Sequence, residues 1–367
     1  MQKGKYLILA PLLSIVVSVF YASEIPKQYL IEGVRYYPML DGYCAMTALR
    51  MNLKYYGLDV EPSFLLNMGW NYGFVYIKSP FYTVAYPDTD PVEEIVFASK
   101  LLGFKTEILI HQSREEAKKS LVKYISTDKP VIVQWIPHTV LAYGYRESGD
   151  RIIYHDPAQP VNNIMASYLK DTPIGKGEGA LMEIAEWEKF PFLWGMRQFQ
   201  MVVLEPKNPE IKINWKDIWK RNAQKTLGII KNPYPAYYGL EGIKELIKDL
   251  KNISIKDNKK LSEFLRGFKM TFEIGVGFRR NAASFLSGQA SLSNDKNLIQ
   301  ASIAFRESAH LFREGLVLIN NWINNRVKKY PEGADDVRKA LIDTLEKIVN
   351  SEQRGAEFLL EASKKDG

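Results

Sequence analysis

The stretch KPVIVQWIPHTVLAYGYRESGDRIIYHDP, residues 129–157, decides how this chain folds. Three runs rich in Val, Ile and Tyr are separated first by Pro137 and then by Ser148–Gly149–Asp150, the pattern of consecutive antiparallel strands. His138 opens the middle strand and Asp156 stands at the far end of the third, so a hairpin brings both to the same end of the ribbon. Opposed residues of an antiparallel pair share a face. With a loop of odd length, such as Ser148–Gly149–Asp150, His138 and Asp156 therefore point to one side, and His155 points away from it. An even loop separates them.

Upstream, CAMTALRMNLKYYG predicts a helix from Cys44 to Tyr56 closed by Gly57, with Ala45, Ala48, Leu49, Leu53 and Tyr56 forming one buried face. NMGWNYGFVYI reads as a loop leading into a strand, and residues 24–38 as irregular chain. Between this point and the ribbon the sequence predicts a helix over Pro91–Leu102, a strand at FKTEILIH, and an amphipathic helix in which Ser113 and Glu116 have capping-box spacing. RQFQMVVLEPK supplies one further strand. After Pro206 the β signal stops and helical periodicity takes over, so the chain reads as α+β with a boundary near residues 207–215. The expected units are a leader (1–23), a mixed α/β domain (24–206) and a helical domain (207–367).

Cys44 is the only cysteine among 367 residues. An internal disulfide is excluded, and so is a cysteine-based zinc site. Cys44 is either a small buried hydrophobe or a reactive thiol. A helix N-terminus and a nearby imidazole would favour the second by stabilising the thiolate. The candidate constellation is then Cys44 as nucleophile, His138 as proton carrier and Asp156 as the group that orients the ring. His111 and His310 read as structural. GVGFRR (Gly275–Arg280) is glycine-rich, but no strand leads into it, and neither a Walker A loop nor a dinucleotide or zincin motif is present, so no cofactor and no metal is expected.

The formal charge of +7 is unevenly spread. Residues 1–206 carry 20 Lys+Arg against 22 Asp+Glu, and residues 207–330 carry 23 against 11. This basic half is read as a solvated face, and no nucleic-acid partner is expected because no aromatic-basic motif accompanies it. At the N-terminus, MQKGK precedes 17 uncharged residues, YLILAPLLSIVVSVFYA, with signal-peptide anatomy. Export, or membrane anchoring through residues 6–22, is expected, with a cytoplasmic chain as the alternative.

CAMTALRMNLKYYGLDV, LNMGWNYGFVYI and the ribbon of residues 129–157 resemble the N-terminal domain of butirosin biosynthesis protein H and its relatives, itself similar to papain-like thiol enzymes such as the bacteriocin-processing peptidases. YYGLEGIKELIKDL and FRRNAASFLSGQA resemble the helical domain of unknown function that follows it. The resemblance implies a papain-like domain with an antiparallel sheet followed by an all-α domain, and a Cys, His, Asp order that lands on Cys44, His138 and Asp156. It implies acyl transfer from a thioester to an amine acceptor, or hydrolysis of an amide, peptide or thioester. Papain-like peptidases place a Gln six residues before the Cys; here that residue is Pro38, and Gln134 is the substitute oxyanion donor the sequence offers. The alternatives are an exported cysteine peptidase and a catalytically inactive membrane-associated binding or scaffold protein on the same fold. The oligomeric state is not legible.

Overall fold

A computed structural model describes residues 25–39, 43–78, 83–86, 91–135, 138–157, 180–183, 200–207, 213–231, 236–253, 258–324 and 332–364. The leader lies outside them. Among the described residues no helix is long and apolar enough to cross a membrane.

The expected mixed domain is built on a seven-stranded antiparallel sheet. Strands β4 (Phe104–Ile110), β9 (Gln200–Pro206), β5 (Val131–Trp135), β6 (His138–Arg146), β7 (Arg151–His155) and β8 (Ala180–Glu183) lie in that order, and β1 (Tyr29–Leu30) pairs with the end of β6. β1 corrects the expectation of irregular chain before Pro38. Helices α1 (Cys44–Tyr55) and α3 (Pro91–Leu101) cover one face of the sheet, and α4 (Arg114–Ile125) covers the other. The pleat sorts the side chains between them. Ile132, Leu141, Val202 and Leu204 join the core under α1, while Val131, Val133, Val140, Ala142, Tyr154 and Val203 join the core under α4. The Ser113 hydroxyl caps α4 by accepting from the Glu116 amide at 3.2 Å, as its spacing predicts.

The β6–β7 loop differs from expectation, and the consequence is geometric. It comprises Glu147–Asp150, four residues rather than three, with Glu147, Ser148 and Gly149 all at positive φ. An even loop alone would put positions 138 and 156 on opposite parities. A β-bulge between Ala142 and Gly144 inserts one residue into β6 and reverses the register, so that Leu141 pairs His155 and Ala142 pairs Tyr154. Positions 138 and 156 regain equal parity because of the bulge. Gly144 is required there: a Cβ would come within 2.9 Å of Leu30 and 3.0 Å of the Tyr29 carbonyl where β1 closes on β6.

The helical half comprises α5 (Trp215–Leu227), α6 (Gly239–Asn252), α7 (Asn258–Gly267), α8 (Lys269–Ser293), α9 (Lys296–Asn324) and α10 (Ala334–Lys364). FRRNAASFLSGQASL forms the second part of α8. GVGFRR lies inside α8, which removes any phosphate-loop role. Its Gly275 is a packing notch: a Cβ would meet the Phe312 ring of α9 at 2.6 Å, and reciprocally a Cβ at Gly315 of α9 would meet Phe272 of α8 at 2.2 Å. The two rings interlock edge to face at 5.7 Å.

The halves are not separate cores, and β signal does not end at Pro206. Strand β10 (Tyr237–Tyr238) pairs with β2 (Val75–Lys78), which also pairs with β3 (Thr83–Tyr86). Two buried charge clusters cross the same boundary. Arg279 of α8 makes a bidentate pair with Glu352 of α10 (2.5 and 3.1 Å) and donates to the carbonyls of Asn71 and, at 2.9 Å, Gly73. Glu94 of α3 pairs with Lys225 and Arg221 of α5.

Candidate functional site

Cys44 is the first residue of α1 and is half-buried. Among the described residues no acidic side chain stands at the start of the helix that carries it. Tyr43 makes no side-chain cap, and the first turn holds no acidic residue. The aligned peptide dipoles of a helix favour a negative charge at its N-terminal turn. Thr47 back-bonds to the Tyr43 carbonyl through its hydroxyl (2.9 Å) and its amide (3.0 Å), fixing the turn.

The approach to α1 is held against the end of β7. Val34 O accepts from His155 Nε2 at 3.1 Å, and the Met39 amide donates to the Pro157 carbonyl at 2.7 Å. The backbone five residues before Cys44 is thus tied to the residue after Asp156. Asp156 is buried at 3 % exposure, just beyond the last residue of β7. Burial, and then the negative charge of Asp156, push the Tyr36 phenol up, which places Tyr36 beside that carboxylate.

His138 is the first residue of β6 and pairs with Trp135, the last of β5; its side chain lies outside the described residues. The ladder relates positions 138 and 156 to each other more directly than to the thiol, because α1 lies over the residues of opposite parity, Ile132 and Leu141. Gln134 has the parity of Ile132 and pairs with Thr139 and Gln200, so this row of buried polar residues stands on the face that α1 covers. The Gln134 Oε1 has no hydrogen-bond partner. Pro38 is exposed and, with Tyr43, Met46 and Arg50, lines a small cleft beside the first turns of α1.

His155, the neighbour of Asp156, is a core residue. It is buried at 3 % exposure and stacks on Tyr143 at 4.4 Å, with Tyr36 edge-on at 5.5 Å. Burial pulls its pKa down, against the opposing effect of the Val34 bond. His111 is half-buried in the loop after β4, and exposed His310 faces Glu314 one turn along α9 at 3.2 Å. Among the described residues no group of His, Cys, Asp and Glu is arranged to hold a metal.

Sequence reasoning missed the brace behind the thiol. The Tyr43 ring, adjacent to Cys44, stacks on Phe278 of α8 at 4.6 Å, and its hydroxyl donates to Asn71 Oδ1 at 3.4 Å. Asn67 and Asn71 both donate to Asn281 Oδ1 (2.9 and 3.3 Å), and Asn222 of α5 donates to the Asn67 carbonyl at 2.9 Å. The helical half therefore buttresses the entry to α1. NMGWNYG, with its two asparagines between aromatics, was the one local signal of this network; its partners lie more than 150 residues away in sequence.

An antiparallel sheet with a thiol at the head of the helix packed across it, followed by a helical region, defines a papain-like α+β architecture. The sequence agrees: residues 31–175 match the Peptidase_C39 like family. Among solved structures, the peptidase domain of Streptococcus ComA, a bi-functional ABC transporter involved in a quorum-sensing pathway, is similar at 19 % identity and a TM-score of 0.30, over 47 % of this chain and 99 % of that one. No curated protein matches the chain in sequence.

Proposed function

We propose that this protein is a papain-like thiol enzyme that cleaves or transfers acyl groups through Cys44, with His138 as general base and Asp156 as its orienting carboxylate. The observation that carries the proposal is the position of the half-buried thiol at N1 of a helix whose first turn holds no acidic residue, within a segment that matches a cysteine-peptidase-like family. In the first step the Cys44 thiolate attacks the acyl carbon, and His138 delivers a proton to the departing amine, alcohol or thiol. In the second, His138 takes a proton from water or an amine acceptor, which attacks the Cys44 thioester and releases the thiol.

The oxyanion formed in each step needs donors. The Cys44 amide is one, and Gln134, on the α1 side of the sheet, is the candidate for the other. With Pro38 where papain-like peptidases carry Gln, the enzyme should favour activated acyl groups, thioesters and aryl esters, over peptides. A butirosin-type thioester donor with an amine acceptor is the version of this chemistry that the resemblance implies. Membrane attachment through residues 6–22 would place the reaction outside the cytoplasm.

The test is turnover of an aryl thioester with and without an added primary amine. The wild-type chain should release the thiol with a burst of one equivalent, and Cys44→Ala should do neither. His138→Ala should slow acylation by roughly 10²–10⁴-fold. One observation favours a second reading, a silent binding protein on the same fold: α1 covers the residues of opposite parity to positions 138 and 156. Wild-type and Cys44→Ala proteins that behave identically in the thioester assay would establish it.

A further inference from the structure

The outer surface of the α8–α9 pair carries a feature that thiol chemistry does not use. Val276, Arg280, Ala283 and Ser284 of α8 face Arg306, Ala309, His310 and Arg313 of α9 across a cavity of about 270 Å³. Spacings of three and four residues put each set on one stripe of its helix. The alanines keep the floor low, and the long basic side chains form the rim.

Three of these side chains lack a counter-charge. Among the described residues no ion pair or hydrogen bond engages Arg280, Arg306 or Arg313, although acids are near: Glu307 is taken by Arg354 at 2.5 Å, and Glu314 by His310 at 3.2 Å. By contrast Arg279, the neighbour of Arg280 on α8, is paired with Glu352. Three guanidiniums around one cavity repel one another unless an anion sits among them. Their planar forks match the geometry of phosphate oxygens. A phosphate monoester offers close to two negative charges and three strong acceptor oxygens, enough to engage all three arginines together.

We propose that this trough binds a phosphate monoester group. The group could be presented by a soluble molecule or by a phosphomonoester lipid headgroup, since the α9 stripe continues into exposed Ile299, Ile303 and Val317. The site is independent of Cys44: Phe278, which stacks beside the thiol, projects from the opposite side of α8 to Arg280.

Equilibrium dialysis of the full chain against labelled inorganic phosphate at low ionic strength tests the soluble arm. Flotation with neutral vesicles containing phosphatidic acid tests the lipid arm. Either arm should show saturable retention that glycerol phosphate displaces and acetate at equal ionic strength does not. Arg306→Gln/Arg313→Gln should weaken retention by at least about tenfold, because exposed charge pairing is lost, with the unfolding midpoint in phosphate-free buffer unchanged. Retention in the vesicle arm alone assigns the group to a lipid. Failure in both arms, equal displacement by acetate, or undiminished retention by the double variant would overturn the proposal, whatever Cys44 does.

Discussion

His155 and Asp156 are consecutive and both buried, yet they carry different expectations. The ring of His155 is neutral packing material between Tyr143 and Tyr36, and its burial lowers its pKa below the ordinary histidine value. The unfolded chain therefore binds a proton there that the folded chain resists, and stability is full above the unfolded value of about 6.5 and lost as pH falls through and below it. Urea midpoints measured from neutral to mildly acid pH should decline in the wild-type protein and decline less in His155→Gln, which keeps a donor for the Val34 carbonyl. An unchanged slope would mean that other groups carry the acid sensitivity. Asp156, by contrast, is the buried carboxylate proposed to orient His138, and Gln134 the proposed donor to the oxyanion. Gln134→Ala should lower acyl turnover roughly 10²–10³-fold, with little change in the unfolding midpoint. Cys44, His138, Asp156 and Gln134 were all readable as candidates, because residue type and position beside a break or helix start are local properties. What was not readable was the direction each faces. That depends on the bulge at Ala142–Gly144, which no local pattern announces and which compensates for a loop one residue longer than the turn signal suggests.

Between elements, the strongest sequence signals became structure nearly unchanged. Helices α1, α3 and α4 and strands β4 to β7 and β9 fall where periodicity and caps put them, and the chain after Pro206 is mostly helical as its periodicity predicts. The two-residue strands β1 and β10 did not, since so short a segment has no period and exists only because β6 and β2 offer partners. The glycines of α8 and α9 were equally opaque: the sequence argues against a phosphate loop at Gly275 but gives that glycine no role until the ring of Phe312 is seen against it. Gly315→Ala would drive a methyl into Phe272, so it should cost about 1–3 kcal/mol by overpacking. Adding Phe272→Leu should recover part of that loss in thermal unfolding. A neutral Gly315→Ala would show that the α8–α9 contact is looser than described.

Over the whole molecule, the thiol helix is held from two sides. The sheet carries its length, and α8 and α5 hold its entry through Phe278, Asn281 and Asn222. The end of the strong β signal at Pro206 placed a boundary near residues 207–215, and the buried polar contacts that cross it leave no trace in local composition. Arg279 is fully buried and bonded to Asn71, Gly73 and Glu352, so Arg279→Met should cost about 3–5 kcal/mol by stranding the carboxylate. The loss should appear in one unfolding transition reported alike by sheet and helix signals. Two transitions, only one of them shifted, would show that the halves fold separately.

The central claim is that Cys44 is a stabilised thiolate poised for attack. Its most direct test is the rate of iodoacetamide labelling of the native protein as pH is lowered from neutral to about 5.5, against an unstructured cysteine peptide. Labelling that persists at mildly acid pH, and that in His138→Ala falls away as the peptide's does, is the predicted result. A rate that tracks the peptide at every pH in the wild-type protein would contradict the account.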